Sequence, residues 1–365
     1  MKAGSTLVDV AQRVDHIRQH ARDFLARPAQ VRISATVGAS PSMLLDDGSG
    51  ALSFGVSDLV HDQLADYAGI PLPYYRRMLS EAPDLMAANA NTWLAKADGR
   101  RLVRTALDDA GQPVTRAFLS DRFRPLDNYQ LLEAVLPLLH EQGIRVESCE
   151  LTEKRLYLKA VSDRFTGEVK VGEMVQAGLS ISNSEVGMGA ISILPLVWTL
   201  RCTNGMTIQE SGMRQHHVGR RQGDPNDGDI QHLLSDEART ADDRAFFLKV
   251  RDVSRAALDE TVFRRHLSRL QAAAGAAITN PALDQVVEVT SKRFGLTEAE
   301  GAGVLAHLIR GGDLTLWGLC SAVTRYSQDL SSYDRATELE RIGGKLIELP
   351  RGDWQRLSAA SPSAN

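Results

Sequence analysis

The sequence predicts an α+β protein. Its central antiparallel sheet carries a packed helix, and it is flanked by a helical N-terminal region and a helical C-terminal domain. Two observations predict this. Apolar residues recur every three or four positions through residues 1–100 and again through 225–357, which is helical spacing. Between 101 and 224 the period shortens to alternation, with turn-rich breaks between short apolar runs.

In the first region, Leu7, Val10, Val14 and Ile17 mark one helix. Asp46-Asp47-Gly48-Ser49-Gly50 is a loop, and Ser57 starts a second helix through Leu59, Val60, Leu64 and Tyr67. Gly69 ends it, and Pro71 and Pro73 prevent its continuation. Met86, Ala90, Trp93 and Leu94 suggest a third. The helix–Gly–helix unit, followed by Tyr74-Tyr75-Arg76-Arg77, has the outline of a DNA-reading helix-turn-helix, and also of an ordinary helical hairpin.

In the middle region, residues 101–107 and 114–119 flank the turn-rich segment 108–113 as a hairpin. Asp127 caps a helix with the stripe Leu131, Leu132, Val135, Leu136 and Leu139, and Gly143 stops it. Four strands follow, at 144–151, 155–161, 173–183 and 188–201, so about six strands should share one sheet. In the last region, Ile230, Leu233, Leu234, Ala241, Ala245 and Leu248 trace one stripe. Thr297 and Glu300 form a capping box, and Asp313 caps the helix bearing Leu316, Leu319, Val323 and Tyr326. Residues 358–365 are expected to be a disordered tail.

Composition narrows the class. The chain has 365 residues, 43% hydrophobic and 24% charged, which excludes collagen-like, disulfide-scaffold and wholly disordered proteins. Three scattered cysteines, Cys149, Cys202 and Cys320, give neither a disulfide framework nor a zinc ribbon. No apolar run approaches a membrane helix and no secretion signal opens the chain, so a cytoplasmic protein is expected. The net charge of −4 leaves room for a local basic surface. The Walker, nucleophile-elbow, zinc-protease and Rossmann motifs are absent. No cofactor or metal is expected, and catalysis is not the favoured reading.

Five segments carry candidate chemistry. Ser182-Asn-Ser-Glu-Val-Gly-Met-Gly189 is expected to be a turn in which Ser182, Asn183 and Ser184 bond the backbone, with Glu185 and Gly187 at its centre. Asn204-Gly205 is a second turn signal, beside Cys202, a thiol with no assigned base. Met213–Gln222 holds Arg214, His216, His217, Arg220 and Arg221 with no acid from 211 to 223, which suits phosphate oxygens or a solvated loop. Arg155, Tyr157 and Lys159 alternate with Leu156 and Leu158. Cations around a stacking aromatic fit a single-strand surface, and a solvated sheet face looks the same. Arg122 and Arg124 either extend the basic surface or bridge Asp121 and Asp127.

Leu119-Ser-Asp-Arg-Phe-Arg-Pro-Leu-Asp-Asn128, Ser182–Gly187 with Gly189-Ala190, Cys202-Thr-Asn-Gly-Met206 and His217-Val-Gly219 together resemble the phage/plasmid-like protein family, a domain of unknown function numbered 932. Trp317–Tyr326 and Tyr333–Glu340 resemble its longer members, so the likeness runs from about residue 57 to 349. His216 stands where the family pattern has an arginine. The resemblance implies a mobile-element setting and no defined activity. A hairpin, a packed helix and antiparallel strands also resemble single-strand annealing proteins, at the level of fold alone. The expected function is therefore single-stranded nucleic-acid binding or annealing in recombination or replication, by a homo-oligomer. One alternative is a metal-dependent hydrolase or nuclease using Glu185, His216 or His217 and Asp121. Another is a protein-interaction factor, such as an inhibitor of host defence, working through its helical C-terminal part.

Overall fold

The computed structural model describes residues 1–46, 48, 50–200, 204–209, 212–217 and 235–359. Among these the chain is α+β, with two sheets and a helical C-terminal region.

The first sheet has the order β1-β5-β6-β4-β3-β2, formed by Arg22–Ala26 (β1), Val31–Ser34 (β2), Ser42–Asp46 (β3), Ala51–Val56 (β4), Arg101–Leu107 (β5) and Pro113–Ser120 (β6). Its pairings are antiparallel except β4 with β6. Helices Asp58–Tyr67 (α1), Leu72–Glu81 (α2) and Pro83–Lys96 (α3) supply its core with Val60, Leu64, Tyr75, Met78, Met86 and Leu94. Ser57 caps α1 as expected, and its spacing is helical for the expected reason. Asn91 closes the outer edge of β2, its Oδ1 accepting from Ile33 N and its Nδ2 donating to Ile33 O. That amide blunts an edge that would otherwise invite a further strand.

The first helix of the chain, Leu7–His20, buries Val10 and Val14 against the second sheet. This sheet runs β11-β10-β9-β8-β7, from Arg145–Leu151 (β7), Leu156–Lys170 (β8), Glu173–Asn183 (β9), Ile191–Thr199 (β10) and Asn204–Thr207 (β11), with Met213–Gln215 (β12) also on β10. All its pairings are antiparallel. Helix Asn128–Glu141 (α4) packs on it through Leu131, Leu132, Val135 and Leu139, capped by Asp127 and Gln130, and stopped at Gly143 with φ 64°.

The C-terminal helices are Asp236–Ala257 (α5), Glu260–Ala274 (α6), Leu283–Phe294 (α7), Glu298–Gly311 (α8), Leu316–Tyr326 (α9), Tyr333–Ile347 (α10) and Arg351–Ala359 (α11). Trp317, Leu319, Val323, Leu339 and Leu346 form their shared core.

The structure corrects several expectations. Residues 1–100 contain four strands beside the helices, because short alternating runs such as Val31-Arg-Ile-Ser34 are hidden between stronger helical signals. The hairpin β5–β6 joins those strands, so the six middle strands divide between two sheets instead of sharing one. The buried stripe of α5 is Phe247, Val250, Ser254 and Ala257, whereas Ala241, Ala245 and Leu248 face solvent. Ile230, Leu233 and Leu234 lie outside the described residues. Thr315, not Asp313, caps α9: its Oγ1 accepts from Gly318 N and donates to Asp313. Ser358 is buried at the end of α11 instead of starting a tail. No helix among the described residues is long and apolar enough to cross a membrane.

Candidate phosphate-binding site beside a buried charge network

The loop between β6 and α4, the turn after β9 and the end of β12 are far apart in sequence and meet at one place. Glu185 lies at its centre. Its Oε1 accepts from Arg116 Nη2 at 2.5 Å and its Oε2 from Asn128 N, at the N-terminus of α4, at 3.0 Å. Burial opposes ionisation, but Arg116, Arg104 and the Asn128 N–H hold the Glu185 carboxyl below its usual range. Arg104 is itself buried. It donates to Asp23 Oδ1 at 3.0 Å and to Glu185 O at 2.8 Å, and it pairs with Asp127 at 2.9 Å. Two arginines and three carboxylates thus close on one another, joining the first sheet to the second.

Asn183 and His217 extend the network. Asn183 Nδ2 donates to Leu126 O at 2.8 Å and to Asn128 Oδ1 at 2.9 Å. Its Oδ1 lies 2.8 Å from His217 Nε2, and His217 Nδ1 lies 3.1 Å from Arg124 O. Phe123 stacks on the imidazole with ring centroids 5.0 Å apart. Although oxygens face both ring nitrogens, burial and the Arg104 charge lower the His217 pKa to about 4, so the ring is neutral at pH 7.

These contacts alter the expected roles. Asn183 does not bond its own turn; it ties two distant segments together, and Ser184 Oγ makes the local bond, accepting from Met188 N at 2.8 Å. Gly187 holds φ 81° at the exposed tip, which is why glycine stands there. Asn204 and Gly205 do not form a turn; they open β11. Asn204 Nδ2 donates to Ser321 O, and a Cβ at Gly205 would collide with the Met1 side chain, so this glycine serves a close approach. Arg124 bridges neither Asp121 nor Asp127. It pairs with Asp242 at 2.8 Å and with Asp243, both on α5. Arg122 is exposed.

The expected aromatic–basic face is covered. Tyr157 is 3% exposed and Lys159 is 0% exposed, so neither can stack or contact a nucleic acid. Helix α10 lies over them. Tyr157 Oη donates to Asp334 at 2.7 Å, and Lys159 Nζ pairs with Glu340 at 2.6 Å and donates to Thr337 Oγ1 at 3.1 Å. Opposite them on β9 stand the small residues Ser180 and Ser182, and Arg341 of the helix donates to Ser182 Oγ. Arg77 and Arg76, beside the helix–Gly–helix unit, are also engaged, Arg77 with Glu81 and Arg76 with Asp58 and Asp62.

A second arginine group lies on the other side of the Ser182–Ala190 turn. Arg155 Nη2 donates to Met188 O. Arg214 is exposed on β12, opposite Ser192, which in turn lies opposite Ser182. Arg341 reaches in from α10 and donates to Ser182 Oγ at 2.9 Å. Among the described residues, none of the three has a carboxylate within ion-pair distance. Arg341 was not found from the sequence: it lies 159 residues from Ser182, in a helix whose charge pattern looks like any solvated face. Arg220, Arg221 and Cys202 lie outside the described residues.

The metal-hydrolase constellation does not assemble. Glu185 is held by arginine and backbone, both His217 nitrogens face oxygens, and His216 is exposed; no group of three potential ligands occurs among the described residues.

Fold and site together define an α+β protein whose two sheets are locked by a buried charge network, with unopposed arginines beside it. Residues 117–341 match the family described as Domain of unknown function (DUF932), more than half of the chain, and the protein belongs to that family. The match begins just after Arg104 and Arg116, covers Arg155 and Arg214, and ends on Arg341. No curated protein and no solved structure matches the chain.

Proposed function

We propose that this protein binds single-stranded nucleic acid without catalysing a reaction on it, through its phosphates. One observation carries this reading: Arg155, just before β8, and Arg214, on β12, stand unopposed by carboxylate among the described residues, and Arg220 and Arg221 follow Arg214 in the sequence. Cations left without acids are what a phosphate backbone needs, since each contact releases a condensed counterion. With Tyr157 buried, base stacking has no part in the reading, and binding is expected to be tolerant of sequence. The protein would act in the cytoplasm on plasmid or phage nucleic acid during recombination or replication, as a homo-oligomer.

The test is a salt titration with labelled single- and double-stranded oligonucleotides. Replacing Arg214, Arg220 and Arg221 by Ala is expected to weaken single-strand binding equally across sequences. The slope of log affinity against log salt should flatten by about 0.7 per lost contact. Equal binding by wild type and triple variant at low salt, with the variant folded, would remove this reading and leave the protein-interaction alternative. Light scattering during the same titration tests the oligomer.

A further inference from the structure

We propose that Arg341, Arg155 and Arg214 form a receptor for a single tetrahedral oxyanion, a phosphoryl group, with Arg341 as its central donor. This rests on the phosphate-binding reading and names the group that does the binding.

Arg341 is half-buried and differs from the buried Arg104 in its surroundings. Arg104 has Asp23 and Asp127 beside it. Arg341 has Ser182 Oγ and nothing else within bonding distance among the described residues, and its Nε is shut off from solvent with no acceptor. The Nε is closed to any ligand, so the donors left for one are the Nη groups, of which only Nη2 has a partner, Ser182 Oγ. The acids of its own helix are already engaged. Asp334 accepts from Tyr157 Oη and Thr152 Oγ1, Glu338 pairs with Arg335, and Glu340 pairs with Lys159. Tyr157, Ser182 and Ser192, the groups facing Arg341 from the sheet, are neutral.

Charge argues in the same direction. Burial first, and then the Arg155 and Arg214 charges, push the Arg341 pKa down, whereas carboxylate partners raise those of Arg104 and Arg335. An anion among the three would relieve that repulsion. The fork of an arginine matches two oxygens of a phosphoryl group, and Arg155 is already oriented by its bond to Met188 O. A carboxylate ligand would fill two donors, whereas a tetrahedral group can address three cations at once.

The experiment compares inorganic phosphate with chloride at matched ionic strength, reading the thermal midpoint of the wild type, R341Q and R214Q, alongside oligonucleotide binding. Phosphate is expected to raise the wild-type midpoint above that in chloride, by ligand linkage. R341Q should lose this protection and bind phosphate about ten-fold or more weakly. R214Q, at an exposed position that leaves the fold intact, should lose part of it, and it carries the test if R341Q does not fold. No protection of the wild type by phosphate, or full protection of a folded R341Q, would overturn the receptor. Phosphate protection without oligonucleotide binding would keep the receptor and remove the nucleic-acid reading. Oligonucleotide binding that neither phosphate nor R214Q weakens would do the reverse.

Discussion

Two arginine groups flank the same turn, Ser182–Ala190, and they differ in what surrounds them. On one side, Arg104 and Arg116 meet Glu185, Asp127 and Asp23, and each arginine is matched by carboxylate. On the other, Arg155, Arg214 and Arg341 meet serines, a tyrosine and backbone carbonyls. Neutralised charge inside a protein specifies how parts fit. Charge left without a carboxylate repels its like neighbours, and an anionic partner relieves that repulsion. The comparison therefore separates a structural lock from a binding surface, although both consist of arginines near one turn.

The sharpest way to break the comparison is to unbalance the closed side. Glu185→Gln leaves Arg116 and part of the Arg104 charge buried without an anion. We expect a loss of roughly 3 kcal/mol or more in urea unfolding, since removing one partner of a buried pair strands the other. The phosphate response of the folded fraction should be unchanged. A loss below about 1 kcal/mol would mean that the network is not what joins the sheets.

Acid should act on the closed side next. His217 and His61 are both held near a pKa of about 4, His217 by burial and Arg104, His61 by burial and Arg76. A histidine whose pKa is lower folded than unfolded contributes stability that is fully present above about 6.5 and is lost as pH falls toward 4. Each should cost about 2 kcal/mol between pH 8 and pH 5. Urea midpoints across that range should fall less in His217→Gln than in the wild type, by the share of one proton. An unchanged pH profile in that variant would place the His217 pKa near its ordinary value.

Asn183→Ala is expected to cost about 1–2 kcal/mol, and a double-mutant cycle with His217→Ala should give a coupling above roughly 0.5 kcal/mol. Additive losses would return Asn183 to the local turn.

Much of this was legible in the sequence. The helix of Leu131–Leu139 and its Asp127 cap, the strand Glu173–Asn183 and the Thr297–Glu300 box follow from local rules, and the structure has them as expected. The polar segments 119–128, 182–189 and 217 were each visible as unusual. That they meet was not, because their contacts span 34 to 93 residues and no local pattern encodes a partner. The reading failed where one sheet face looked solvated. Tyr157 and Lys159 alternate like exposed residues, but a helix whose bonds to them span 177 and 178 residues covers that face, and its Glu340 pairs with the lysine. Arg341 escaped for the same reason: its meaning lies in an absence of acids around it in space.

The smallest effect discriminates best, because it compares two arginines only in their surroundings. Arg124 and Arg214 both belong to the expected basic surface, but Arg124 is matched by Asp242 and Asp243. If binding is to phosphates, Arg214→Gln should lower the slope of log affinity against log salt by about 0.7, the share of one contact. Arg124→Gln should leave that slope unchanged, since its charge is already spent within the protein. It should also shift the urea midpoint only slightly, because partly exposed ion pairs contribute about 1 kcal/mol or less. Equal slopes for both variants would mean that local neutralisation does not decide which arginines reach the ligand, and the distinction between lock and surface would fail.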